Sequence, residues 1–276
     1  VHGDRLEALA GASVGSMNNI ITAHIEGGEV SGTIDEMIRH AVSKLSHLHF
    51  VSNENAKERL LKMGESKIAI HVIGSPDIDI MNSPNLPKID EVKEYYDIPF
   101  SDYAIAAYHP VTSEIKKLDK NCLMFVEALQ ESSDNYVVIY PNNDRGSDII
   151  LRNYEILDGK DNIKIFPSMR FEYFLTLLKN ADYIIGNSSA GIREAPQYGV
   201  RSIDIGTRQK NRSKASSILS ISDHKDDILS SISKIKETIP SKTSEFGDGN
   251  SASLFCEVIC DENVWNIDIQ KYFVDN

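Results

Sequence analysis

The sequence has little cysteine, a single tryptophan and no surplus of positive charge, and each shortage excludes a class of protein. Three cysteines in 276 residues, Cys122, Cys256 and Cys260, cannot build a disulfide framework, and none forms a CxxC pair. Cys256 and Cys260 lie one helical turn apart and are expected to be buried thiols, and this usage points to a reducing, cytoplasmic compartment. Lysine and arginine number 29 against 41 acidic residues, a net charge of −12. That balance argues against a non-specific nucleic-acid binder and against charge-driven binding to an anionic membrane. No apolar run approaches the roughly 18 residues needed to span a bilayer. No GK[ST] sequence exists for a P-loop, and His24, His40, His47 and His49 lack the HExxH spacing of a zinc site, so no metal is expected. No signal peptide is expected, and no Met opens the sequence. The chain opens at Val1 in what reads as a strand end, as in the C-terminal part of a longer protein.

What is present has the composition of a globular chain: 41% hydrophobic and 25% charged residues, enough for one large domain or two modest ones. Strands are expected at 20–25, 48–52, 68–73, 103–108, 136–140, 162–166, 183–185 and 202–205, with amphipathic stretches between them. The clearest helix is expected over 33–48, where Ile34, Ile38, Ala41, Leu45 and Leu48 share one face. Short β-branched runs alternating with helices predict βαβ units and parallel sheets, an α/β fold. The proline-rich NSPNLPKID (82–90) reads as a linker. The expected division is 1–80, 81–262, and a last helix over 263–276 in which Trp265, Ile269 and Phe273 face the first domain.

Polar residues gather at the expected carboxyl ends of strands, where ligands bind in open α/β sheets. HIEGGEVSGTIDEMIRH (24–40) places His24 and Glu26 at one strand end, and Asp35 in the first turn of the next helix. Thr33 and Glu36 would form a capping box there. By itself this segment is equally well an ordinary polar loop. HGDR (2–5) adds His2, Asp4 and Arg5, and convergent carboxylates and histidines suit proton abstraction and donation. GNSSAGIRE (186–194) places Asn187, Ser188 and Ser189 as caps of a following helix, an anion site by type, although capping alone explains them. His109 in AYHPVT, Asn142 in YPNND and Arg208 in GTRQ complete the set of polar strand-end loops.

In order along the chain, HGDRLEAL, HIEGGEVSGTIDEMIRHAVSKLSHLHF, HPVT, YPNND, GNSSAGIREAP, GTRQ and GDGN resemble the hydrolysing UDP-N-acetylglucosamine 2-epimerases of bacterial sialic acid synthesis. The resemblance implies two Rossmann-like domains in a GT-B-like arrangement with substrate between the halves, and a homodimer or homotetramer. It implies conversion of UDP-N-acetylglucosamine and water to N-acetylmannosamine and UDP, by elimination through 2-acetamidoglucal and hydration, without a cofactor. Asp4, Glu26 and Asp35 then match catalytic carboxylates, with His24 beside them. His109, Ser188, Ser189 and Arg208 match diphosphate contacts, Glu194 a ribose contact, and Arg5 and Asn142 nucleotide contacts. The family's opening strand and basic loop have no counterpart here, so the start of the N-terminal domain is expected to be missing. A chain that truly began at Val1 would be expected to show little activity. The alternatives are the same chemistry on a UDP-2,4-diacetamido-trideoxy sugar, a GT-B glycosyltransferase, and a UDP-sugar-binding protein without turnover.

Overall fold

The computed structural model describes all residues except 33, 214, 240, 273, 275 and 276. Contacts divide the chain into two units, Val1–Ser83 with Ser244–Asn276, and Pro84–Thr243. From the sequence these transitions are expected at 80 and 262; the second lies at 243/244 in the structure, so residues 244–262 group with the first unit.

The first unit runs α1 (Leu6–Met17), β1 (Ala23–Ile25), α2 (Ile34–Leu45), β2 (Leu48–Val51), α3 (Glu54–Lys62), β3 (Ile70–Val72) and α4 (Pro76–Met81). The three strands form a parallel sheet in chain order, and residues 1–3 run beside β1, with His2 bridged to Ile25 and the Gly3 N–H donating to Ile25 O at 3.0 Å. Every carboxyl end in this sheet therefore opens on one edge: Asp4, Glu26, Ser52 and Ser75 follow successive strands. Residues 67–69, the last two of them expected as strand, form a 3-10 turn ahead of β3.

Helix α2 is shorter than its apolar periodicity suggested, and it stops at Leu45 because Leu48 enters β2. Its buried residues are Arg39, Val42 and Ser43, while Ile34 and Met37 are exposed. The expected stripe is thus only part of the packing surface: Ile38 and Leu45 lie against Ala8 and Ala12 of α1, beside the polar face. Thr33, the expected cap, lies outside the described residues; Glu36 reaches back to accept from the Ser31 N–H at 2.7 Å.

The second unit runs α5 (Ile89–Tyr95), β4 (Ala104–Ala107), α6 (Ile115–Glu131), β5 (Tyr136–Ile139), α7 (Ser147–Tyr154), β6 (Ile163–Phe166), α8 (Phe171–Lys179), β7 (Tyr183–Gly186), α9 (Glu194–Tyr198), β8 (Arg201–Ile205), β9 (Ile218–Ile221) and α10 (Lys225–Ile235). Its six parallel strands lie in the order β6-β5-β4-β7-β8-β9. This is the doubly wound Rossmann order, whose direction of winding reverses between β4 and β7 and leaves a crevice at their carboxyl ends. Apolar cores cover both faces, one around Phe125, Tyr136, Ile185 and Ile203, the other around Ile105, Val137, Leu177 and Ile184. Burial on two sides explains why YVVI and YIIG are apolar without alternation.

The chain then returns to the first unit through α11 (Ser251–Cys260), whose Leu254, Phe255, Val258 and Ile259 pack on Leu48, Phe50 and Ile73. Two expectations are corrected here. The returning helix is α11 rather than 263–276, which holds a 3-10 turn at Glu262–Trp265 and no described helix after it; Phe273 lies outside the described residues. Cys256 and Cys260 are exposed, not buried, because they occupy the face of α11 opposite its apolar seam. Cys122 alone is buried, and burial pushes its thiol up to about 12.

Candidate functional site

The first unit gathers its ionisable side chains at the carboxyl edge of its sheet. Glu26 follows β1 with φ +66°, a left-handed conformation that a residue with a β-carbon adopts only at a cost of about 1–3 kcal/mol. Three contacts hold it there: its N–H donates to Phe50 O at 2.8 Å, Ser75 Oγ donates to Oε1 at 2.6 Å, and His2 Nε2 lies 3.1 Å from Oε2. Glu26 is buried, whereas the His2 side chain is half exposed. A strained, buried carboxylate fixed in direction by a hydroxyl and an imidazole is the arrangement expected of a proton-transfer group.

Arg39, only 2% exposed, ties together the remaining parts of this edge. One guanidinium nitrogen bonds Asp4 Oδ2 and the other donates to Glu29 O at 3.0 Å. Arg5 lies 3.9 Å from Asp35, so each carboxylate of this set other than Glu26 faces a guanidinium. Glu29, also buried, accepts from Ser52 Oγ. The glycine loop keeps close backbone company: Gly28 has φ +75°, and a β-carbon there would lie 2.3 Å from Ala56 O.

His24 does not fit the catalytic role expected of it. The ring is fully buried, with Nδ1 3.0 Å from Ser43 Oγ and Nε2 2.9 Å from Gly3 O. A carbonyl oxygen only accepts, so Nε2 carries the proton and Nδ1 receives the serine hydroxyl. Burial lowers its pKa to about 4. Both nitrogens are committed, and the neutral ring braces the HGDR loop against α2.

In the second unit the polar loops follow β4, β5, β7 and β8. His109, after β4, exchanges two bonds with the Asn187 side chain after β7, at 2.6 and 2.9 Å. Its Nδ1 accepts from the Asn142 N–H at 3.1 Å. Arg208 Nη1 and Gln209 Nε2, after β8, both donate to Asn187 O, at 3.1 and 2.9 Å. Desolvation, helped by the Arg208 charge, lowers the His109 pKa to about 3, so the ring is neutral at every physiological pH. Asp204, at the end of β8, is buried and raised to about 6 despite Ser220 and two arginines.

Residues 1–260 match the family described as UDP-N-acetylglucosamine 2-epimerase. The chain belongs to the UDP-N-acetylglucosamine 2-epimerase family. It is 49% identical over 280 residues to the UDP-N-acetylglucosamine 2-epimerase of Neisseria meningitidis serogroup B, covering 100% of this chain and 74% of that protein. It is 32% identical to the UDP-N,N'-diacetylbacillosamine 2-epimerase (hydrolyzing) of Legionella pneumophila, over 91% of this chain and 67% of that protein. The crystal structure of Methanocaldococcus jannaschii UDP-GlcNAc 2-epimerase in complex with UDP-GlcNAc and UDP superposes with a TM-score of 0.80 at 22% identity, over 94% of this chain and 74% of that one. The α/β, GT-B-like fold implied by the motifs is therefore the fold of this epimerase family member.

Among the residues expected to serve the epimerase site, Asp4, Glu26, Asp35 and Arg5 share the edge of the first sheet, and His109, Asn142 and Arg208 the crevice edge of the second. Ser188 caps a 3-10 turn at Ser189–Gly191, its Oγ accepting from the Ala190 N–H at 3.3 Å. The helix expected directly behind Ser188 and Ser189 starts only after the turn, as α9, five residues, with Glu194 buried in its first turn. The Pro196 ring and the left-handed Gly199 limit α9 to that length. Arg39, Ser75, Glu29 and Gln209 were not singled out from the sequence. Arg39 carried no such signal, because it lies about a third of a turn away from the apolar stripe of α2 and its burial shows only in the structure.

Proposed function

We propose that this epimerase family member is of the hydrolysing type and converts UDP-N-acetylglucosamine and water to N-acetylmannosamine and UDP, the entry step of sialic acid synthesis. The observation that supports this best is Glu26, held at φ +66° between Ser75 and His2 at the carboxyl edge of a parallel sheet. A glutamate stands here where glycine would be relaxed.

The chemistry needs a base at C2 and stabilisation of a leaving diphosphate. A carboxylate removes the C2 proton, the C2–H electron pair becomes the C1=C2 bond, and the C1–O bond breaks with its electrons leaving on UDP. Water then adds its oxygen to C1 of the 2-acetamidoglucal, and a proton returns to C2 on the opposite face. Glu26, Asp4 and Asp35 supply carboxylates for these two proton transfers. Neutral His109, with Ser188, Ser189 and Arg208, donates hydrogen bonds to the diphosphate as its charge develops. Glu194 takes the ribose hydroxyls, and Asn142 and Arg5 the nucleotide. His24 serves by holding the loop of Asp4. Neither step draws on a redox group, and assembly as a homodimer or homotetramer in the cytoplasm belongs to the same proposal.

The 32% identity to a diacetylbacillosamine epimerase raises the same chemistry on a 2,4-diacetamido sugar nucleotide. The test is UDP release and free-sugar analysis by the full-length protein with the two sugar nucleotides side by side. N-acetylmannosamine from UDP-N-acetylglucosamine supports the proposal. Turnover of the diacetamido substrate alone replaces the substrate, and sugar transfer to an acceptor overturns the reading in favour of a glycosyltransferase.

A further inference from the structure

Asn187 occupies an unusual place in the second sheet. It stands directly after β7 at the point where the strand order reverses, and it is 1% exposed. Gly186 before it has φ +135°, and a β-carbon there would lie 2.0 Å from Ala107 O, so β7 can meet the end of β4 only as glycine. That approach lets the Asn187 N–H donate to Ala107 O at 3.1 Å and sets its side chain against the next peptide but one. There the amide reads one residue on both sides: Oδ1 accepts from the His109 N–H at 2.6 Å, and Nδ2 donates to His109 O at 2.9 Å. Those two partners also settle the orientation of the amide, since exchanging O and N would face acceptor to acceptor.

Asn187 O completes the arrangement by accepting from Arg208 Nη1 and Gln209 Nε2, and Gln209 Oε1 in turn accepts from Arg212 Nη1 at 2.9 Å. Opposite, the Asn142 N–H donates to His109 Nδ1. A nitrogen that accepts an N–H carries no proton, so a neutral ring in this position bears its hydrogen on Nε2. The loops following β4, β7 and β8 are thereby registered on one buried asparagine, and the loop following β5 joins them through His109.

We propose that Asn187 is a positioning residue that fixes the His109 peptide, and with it the Nε2–H tautomer, as a hydrogen-bond donor to a diphosphate at the crevice of the second sheet. This rests on the nucleotide reading above for the identity of the anion, but the tautomer follows from the chain's own bonds. Asn187 touches no substrate; it acts through His109 and Arg208. A preset donor needs no reorganisation when charge develops, and that is the gain such a residue provides.

The test uses the full-length protein with Asn187→Asp, near-isosteric but without the donor, and Asn187→Ala, which adds no charge. Histidine side-chain nitrogen shifts report the tautomer, and titration calorimetry compares UDP with uridine. The wild type should show His109 as Nε2–H alone. In both variants that single tautomer should be lost, UDP affinity should fall at least about tenfold, and uridine affinity should stay within about twofold. KM should rise along with the loss of kcat. Folded variants that keep the tautomer and the UDP affinity overturn the positioning role, as do equal losses for UDP and uridine, the mark of a merely structural residue. Should Asn187→Ala fail to fold, Asn187→Asp and the wild-type spectrum still decide, because an Nδ1–H ring in the wild type contradicts the inference outright. A wild type that shows Nε2–H but binds no UDP overturns the proposed nucleotide function instead.

Discussion

Glu26 is the residue on which the proposed chemistry turns, and its backbone strain makes a sharp prediction. Glu26→Gln keeps the shape and one acceptor but removes the base, so turnover should fall by at least about 100-fold while UDP still binds. Steady-state rates beside calorimetry check it, and an undiminished rate would remove Glu26 from its role. His24 makes a prediction about pH. Its folded value is about 4 against 6.5 unpaired, so between those values the unfolded chain binds the additional proton. Its contribution is complete above about 6.5 and is lost as the pH falls towards 4. The stability advantage of wild type over His24→Gln should therefore shrink, by on the order of 3 kcal/mol, across that window in urea unfolding. Much at this scale was legible in advance: Asp4, Glu26, His109, Asn142 and Arg208 stand at strand ends and Asp35 in the first turn of the following helix, because a parallel strand followed by glycine or proline marks its own carboxyl edge. What was not legible is who holds them. Arg39 and Asp4 are 35 residues apart and Asn187 and His109 are 78 apart, and no periodicity records a bond of that span.

Individual elements carry the next set of consequences. Helix α2 has Asp35 in its first turn and Arg39 at its middle, and its carboxyl end is fastened by Lys271. The Lys271 ammonium donates to Ser43 O, Lys44 O and Ser46 O at 3.0, 3.0 and 2.6 Å and lies 2.6 Å from Glu65. Positive charge belongs at a helix carboxyl end, and here it also neutralises a buried glutamate. Burial works against the Glu65 anion, yet His49, Lys271 and Lys44 together hold its pKa at about 2. Lys271→Ala leaves Lys44 and His49 as the remaining partners and should cost about 2–4 kcal/mol in thermal or urea unfolding. Gly186→Ala should be worse for function than for overall folding. It forces a β-carbon into the carbonyl of a central strand, costs more than about 2 kcal/mol, and separates β7 from β4 where the nucleotide is proposed to sit. Loss of UDP affinity with secondary structure retained by circular dichroism is the expected pair of results. All eight expected strands exist, with ends shifted by up to three residues. The ninth, Ile218–Ile221, escaped because it is a short edge strand in a serine-rich run, half buried and without a strong apolar signature.

Across the whole chain, two parallel α/β units divide the work by chemistry. The first concentrates carboxylates, each directed by a hydroxyl, an imidazole or a guanidinium; the second concentrates neutral and cationic donors at a strand-order reversal. Family membership follows from 260 matched residues, and the hydrolysing outcome is what this division of groups is proposed to accomplish. Elimination and hydration leave a combined mark: the hydrogen at C2 is exchanged with solvent and the sugar ends free of UDP. The decisive measurement is a proton NMR time course of UDP-N-acetylglucosamine with the full-length protein in D2O. The account predicts free UDP together with N-acetylmannosamine carrying deuterium at C2. UDP-N-acetylmannosamine with its C1–O bond intact, or a released sugar that keeps its original hydrogen at C2, would contradict it.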